Sequence, residues 1–227
     1  MKTDLSGSLQ TVIARIEQAV QQAAAATTPR LLAVSKKQPV ERLQSLYGLG
    51  QRHFGESYVQ EALAKMAQFG SAEIVWHFIG PVQSNKTKQL AAHFDWVQSV
   101  DRMKILRRLN DQRPADLPPL NVLLQLKVGD EDSKSGAQVA DVLSMADAAK
   151  GMSRIKLRGL MCIPPPSDQL PTQRAYFNQA HQLFDSMRQK YPDMDTLSMG
   201  MSGDLEAAIM EGSTMVRIGT DLMGRRD

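Results

Sequence analysis

Three short stretches carry side chains that could do chemistry together. The first is RLLAVSKKQP (30–39), an apolar run that ends on Ser35, Lys36 and Lys37 before Pro39 opens the next segment. The second is SMGMSGDLEAAI (198–209), and the third is MVRIGTDLMG (215–224). Glycines let backbone N–H groups come close to phosphate oxygens, and Ser and Thr hydroxyls donate further bonds. Ser202, Gly203, Gly219 and Thr220 have the types that grip one monophosphate. Read alone, they also suit two ordinary turns, with Ser202 capping a helix. Arg217 adds a permanent cation just before Gly219. An amine such as Lys36, partly desolvated and near another cation, shifts toward its neutral, nucleophilic form. A lysine beside a phosphate grip is what an imine with a phosphorylated aldehyde requires, and pyridoxal 5'-phosphate (PLP) is the obvious candidate. Taken singly, Lys36 reads as a strand-end surface lysine. Only a fold that carries residue 36 to residues 202–220 unites the set.

The elements that must do this alternate along the chain. Eight β-rich apolar runs recur: LLAVS (31–35), RHFGE (52–56), IVWHFIG (74–80), DWVQSV (95–100), NVLLQLKV (121–128), KLRGLMCI (156–163), DTLSMG (195–200) and TMVRIG (214–219). Amphipathic stretches near 40–49, 57–69, 84–92, 101–112, 136–149, 170–190 and 203–211 separate them. A leading helix over 8–26 precedes them, with Val12, Ile13, Ile16, Ala19 and Val20 at helical spacing. Strict alternation argues for parallel strands with helical crossovers, and eight repeats argue for closure, which leaves no sheet edge. The expected class is α/β, a single (β/α)8 TIM barrel over 1–227 with an extra N-terminal helix within 1–28. An open doubly wound sheet is the alternative. In a closed barrel the first strand neighbours the eighth. Side chains alternate along a strand, so Lys36 and Lys37 face opposite sides, and Lys36 meets Arg217 if it points inward.

Composition narrows the classes. The chain has 227 residues, a net charge of +3 and 5% aromatics, with bases mixed among acids as in DRMKILRRLNDQR (101–113). That is not a nucleic-acid-binding stripe. The lone cysteine, Cys162, excludes an internal disulfide, fits a reducing compartment and reads as a small buried apolar side chain. No signal peptide or membrane-spanning run is evident, so a cytoplasmic protein is expected, and with no large apolar stripe a monomer. GPVQSNKT (80–87) nearly spells a phosphate loop, but Asn85 stands at the second glycine. GMSGD (200–204) resembles a nucleophile elbow, yet His53, His77, His93 and His181 all precede Ser202. GLGQRHFG (48–55) fails the dinucleotide pattern, and no metal-ligand spacing occurs. His77 ends a strand and either lines a site or is a hydrogen-bonded barrel histidine.

The segments AVSK (33–36), FGESYVQE (54–61), WHFIGPVQSNK (76–86), DEDSKSG (130–136), RGLMCIPPP (158–166), LSMGMSGDLEAAI (197–209) and GSTMVRIGTDLMG (212–224) occur in this order. In them the chain resembles the pyridoxal phosphate homeostasis proteins, the YggS/PROSC family, over nearly its whole length. The resemblance implies a barrel similar to the N-terminal domain of alanine racemase, the type III fold of PLP proteins. It implies PLP held as an imine on Lys36, Arg217 facing the pyridine nitrogen, and Ser202, Gly203, Gly219 and Thr220 on the phosphate. Ser57, Tyr58, His77 and Met201 are further candidates around the ring. Ser57 stands where the family has asparagine, which puts the ring contacts in doubt. The implied role is to carry and buffer PLP, with possible delivery to PLP-dependent apo-enzymes and no clear catalytic turnover. A weak racemase-like enzyme acting on amino acids is the alternative. Alanine racemase takes its second acid–base group, a tyrosine, from an additional C-terminal domain of a partner subunit that this sequence lacks. Tyr58 is a candidate substitute, though nothing in the sequence places it. Lys134 reads as a solvated loop lysine or as an aid to transfer.

Overall fold

A computed structural model describes residues 4–70, 73–129 and 136–224. Eight parallel strands close into a barrel in chain order: β1 (Arg30–Val34), β2 (His53–Glu56), β3 (Val75–Phe78), β4 (Trp96–Val100), β5 (Leu120–Leu126), β6 (Ile155–Cys162), β7 (Thr196–Ser198) and β8 (Met215–Ile218). The closing pair is β1 with β8, registered from Arg30 opposite Met215 to Ala33 opposite Ile218. Closure rules out the open sheet.

Helices α2 (Val40–Gly48), α3 (Val59–Phe69), α4 (Thr87–His93), α5 (Met103–Gln112), α6 (Val139–Ala149), α7 (Leu170–Arg188) and α8 (Leu205–Met210) supply the crossovers. The outward strand residues pack on them: Phe54, Phe69 and Trp76 form one aromatic group, and Phe78 meets Phe94 edge-on. The alternate residues point into the lumen. Gln98 on β4 reaches Ser198 on β7 and Met215 on β8, contacts between non-adjacent strands that only the interior permits. At Gly55 an added Cβ would lie 3.2 Å from Leu32 and 3.1 Å from Ile79, which marks both of those side chains as interior. Glycine is required at Gly159, where φ is +149° and a Cβ would fall 1.8 Å from the Thr196 carbonyl. The register between β5 and β6 shifts there, skipping Arg158, which is a β-bulge.

The leading helix is α1 (Leu5–Gln22), not 8–26. Asp4 accepts a bond from the Gly7 N–H at 3.1 Å and so starts the helix earlier. Its buried stripe, Leu9, Val12, Ile16 and Ala19, packs on α8 and on α9 (Thr220–Met223). The sequence reading had no α9, because four residues show no period. Several strands are shorter than expected: β1 ends at Val34 and β7 covers only Thr196–Ser198. Helix α8 begins at Leu205, with Asp204 at the N-cap, so Ser202 and Gly203 belong to the preceding turn. No helix among the described residues is long and apolar enough to cross a membrane.

Candidate functional site

Lys36 follows the end of β1 with the same parity as Leu32 and Val34, so it continues the interior face. Lys37 does not extend the strand. It turns with φ +57° and lies exposed, its ammonium 5.7 Å from the centre of the Tyr58 ring. Across the closing seam, Gly219 sits against Val34. The result is a cavity of about 220 Å³ lined by Lys36, Met201, Ser202, Gly203, Arg217, Gly219 and Thr220, with Val34, Ile79 and Ile163 as apolar walls. The residues from both ends of the chain therefore share one hollow at the C-terminal mouth, where barrels of this class carry their sites. A second cavity of about 560 Å³ adjoins it and shares Lys36, Ile79 and Ile163. Ser57, Tyr58, Gln83 and Lys86 line it as well. Lys36 stands on the partition between the two.

Arg217 is buried and its guanidinium is oriented from below. Nη1 donates to Ser198 Oγ at 2.9 Å and Nη2 to the Cys162 carbonyl at 2.9 Å. Burial lowers its pKa, while the nearby Asp204 favours its charge. Ser198 Oγ in turn donates to Gln98 Oε1 at 2.7 Å, and Gln98 Nε2 lies 2.9 Å from His77 Nδ1. His77 Nε2 lies 3.0 Å from His53 Nδ1. One set of tautomers satisfies the whole line: Gln98 donates to His77, and His77 donates to His53. Both rings must then be neutral. Burial, with the charge of Arg30, brings His53 down to about 4 and holds His77 well below the usual imidazole range. His77 also stacks on Trp96 at 5.2 Å. It is a hydrogen-bonded residue of the lumen and lines neither cavity, apart from the other candidates.

The two glycine-bearing turns are braced by residues that sequence reasoning did not single out. Asp204 Oδ1 accepts the Met201 N–H at 2.6 Å and closes the first turn. Arg15, from α1, donates to the Ser202 carbonyl at 3.1 Å, to Glu206 at 3.0 Å and to Asp221 at 2.5 Å, so one guanidinium ties the turn after β7 to the turn after β8. Nothing in the sequence distinguishes Arg15 from the other polar residues of α1. Gly200, at φ +94°, admits no side chain because a Cβ would sit 2.6 Å from Ala208. Burial pushes the Cys162 thiol up to about 12, so it stays protonated as a small apolar side chain. Among the described residues no group of three or more His, Cys, Asp or Glu is placed to hold a metal ion. Lys134 lies outside the described residues.

The donors fit an anionic, phosphorylated ligand. The smaller cavity is lined by two cationic side chains, two hydroxyls and two glycines, and by no carboxylate among the described residues. Ser57, which lines the larger one, has a buried Oγ with no hydrogen-bond partner among the described residues.

Residues 8–227 match the family described as alanine racemase, N-terminal domain. The pyridoxal phosphate homeostasis protein of Pasteurella multocida is 52% identical over 217 residues, 93% of each chain. That of Escherichia coli K12 is 51% identical over 200 residues, 87% of this chain and 86% of the other. The solved structure of PipY from Synechococcus elongatus with PLP bound is 34% identical, with a TM-score of 0.81 over 92% of this chain and all of that one. Alanine racemase of Clostridium difficile, at 13% identity and a TM-score of 0.71, covers 96% of this chain with 56% of its own and shares the fold. On this similarity and on the barrel, the chain belongs to the family of pyridoxal phosphate homeostasis proteins, built on the alanine racemase N-terminal domain.

Proposed function

We propose that this chain binds PLP at the barrel mouth and serves as a cytoplasmic reserve of it, handing the cofactor to apo-enzymes without catalytic turnover of its own. Lys36 is the point of covalent attachment. Ser202, Gly203, Gly219 and Thr220 hold the phosphate, and Arg217 faces the ring nitrogen. Met201 covers the smaller cavity, and Ser57 and Tyr58 border the ring from the larger one. The observation that carries this reading is the meeting of Lys36, Arg217 and both glycine-bearing turns in one cavity of about 220 Å³.

PLP supplies an aldehyde for attachment and a ring that withdraws electrons most strongly when its nitrogen is protonated. Arg217 can only donate, and two of its donors are already committed below the site. A nitrogen facing it accepts a bond and stays unprotonated, which suits storage better than turnover. The test is borohydride reduction of the loaded protein, intact mass, and mapping of the modified peptide. The expected result is one PLP per chain on Lys36. Modification confined to other lysines would overturn the assignment.

One observation favours a second reading. Tyr58 and Lys36 line the same larger cavity. A weak racemase-like enzyme would use such a pair. Incubating the loaded protein with alanine enantiomers in deuterium oxide separates the readings: steady exchange of the α-hydrogen supports the enzyme, and none supports the reserve.

A further inference from the structure

The two neighbours of Lys36 are tied to one buried ammonium. Ser35 is fully buried, its N–H donates to the Gly55 carbonyl at 2.9 Å, and its Oγ donates to Glu56 Oε1 at 2.6 Å. Its carbonyl accepts from Lys65 Nζ at 2.7 Å. On the other side, the Lys37 N–H donates to Glu61 Oε1 at 2.5 Å. Lys65, from α3, completes the hub by donating to Glu56 at 2.8 Å and to Glu61 at 2.6 Å. An ammonium has three donors, and these three acceptors use them all.

Stability alone does not account for this arrangement. The side chains of Lys65 and Glu56 are 7% and 0% exposed. A buried ion pair is often no more stable than an apolar pair of the same volume. Here Glu56 Oε2 is left buried with no hydrogen-bond partner among the described residues, and burial raises the pKa of that carboxyl. The hub also sustains Lys37 at φ +57°, a left-handed conformation that side-chain-bearing residues adopt rarely and keep only where their surroundings over-determine it. Geometry explains what energy does not. With residues 35 and 37 both anchored, the backbone of Lys36 has one course. Its side chain leaves on the lumen side, where the two cavities meet.

We propose that Lys65 is a positioning residue for Lys36, fixing the backbone on both sides of it through Ser35 and through Glu61 to Lys37. The claim rests on Lys36 as the attachment point. Glu56 and Glu61 are part of the same device: Glu56 orients Lys65 from β2, and Glu61 carries its hold across to Lys37.

The test uses the full chain with two variants. K65M/E56Q removes both buried charges, and E61Q weakens the tie to Lys37 together with the partly exposed Lys65–Glu61 ion pair. Each is measured without cofactor by amide hydrogen exchange at residues 35–38, then by the rate at which PLP becomes borohydride-trapped on the Lys36 peptide. Thermal midpoints are recorded alongside. A lost hydrogen bond to a charged group corresponds to about a tenfold change. K65M/E56Q is expected to speed exchange at Lys37 about tenfold and to slow trapping on Lys36 by a similar factor. E61Q is expected to do both to a lesser degree while melting as the parent does. Parental exchange and parental trapping in E61Q and in any folded K65M/E56Q would overturn the proposal. So would trapping that falls only in step with the thermal midpoint. If the parent protein traps PLP on another lysine, the attachment reading fails, and the exchange arm still decides whether the hub holds residues 35–37.

Discussion

The two faces of the barrel sheet are made from alternate residues of the same strands and have opposite characters. Phe54 and Trp76 point outward into an aromatic layer against α3, while their neighbours Gly55 and His77 point inward. The outer face is mainly apolar, with Glu56 and Ser99 as buried polar exceptions. The inner face carries a polar line from His53 through His77, Gln98 and Ser198 to Arg217. Burial of apolar area is the main favourable term in folding, whereas a neutral hydrogen bond adds only about 1 kcal/mol net. So the outer face accounts for stability, and the inner line accounts for the direction in which Arg217 points. Beside apolar lumen residues such as Leu32, Leu123 and Met161, this polar line supports one guanidinium.

Four perturbations sharpen or break that contrast. The largest belongs to the outer layer. Phe177 of α7 is fully buried, and Phe177→Ala should lose about 3–5 kcal/mol in denaturant unfolding, with PLP affinity of the folded fraction unchanged. Arg217→Met should reverse the pattern, weakening PLP binding about tenfold or more in an equilibrium titration, because a hydrogen bond from a charged donor is worth about 1.5–3 kcal/mol.

The third is a pH effect. His53 is held down to about 4 and His77 well below 6.5, so between those values the unfolded chain binds more protons than the folded one. Stability is therefore fully present above about pH 6.5 and is lost as pH falls toward 4. The thermal midpoint should decline over that window, and His53→Gln should decline less. The smallest concerns Arg15, about a third exposed. Arg15→Ala should cost about 1 kcal/mol or less in stability yet loosen PLP binding a few-fold, since it ties both turns without lining the cavity. An Arg15→Ala protein with parental affinity would mean that the turns hold their shape unaided.

The contrast also explains what could be read in advance. Strand and helix alternation is a property of the outer face, whose apolar periods dominate the sequence, so the barrel and the β1–β8 seam followed from it. Lys36 and the glycine-bearing turns stood out because their residue types are unusual at strand ends. The supports did not. Gln98 and Ser198 look like solvent-facing positions of half-buried strands, and only closure turns that side into a lumen. Lys65 lies in an amphipathic helix, where a lysine is expected to reach water, and its burial depends on two carboxylates that come together in space. Helix α9 is too short to show a period. Ser57 was read as a departure from the resemblance, but that its buried hydroxyl has no partner among the described residues was not visible.

The seam between β1 and β8 has a bearing on how the protein meets its reactive cargo. An aldehyde that attacks amines at large is best not met by a half-made receptor. Here Lys36 follows the first strand, while Arg217 and the second glycine-bearing turn belong to the eighth. Because such sequence-distant pairing forms late and slowly, a nascent or truncated chain displays only a lysine like any other. On the attachment proposed above, capture competence arrives with closure of the β1–β8 seam, and loading doubles as a report that the barrel has closed.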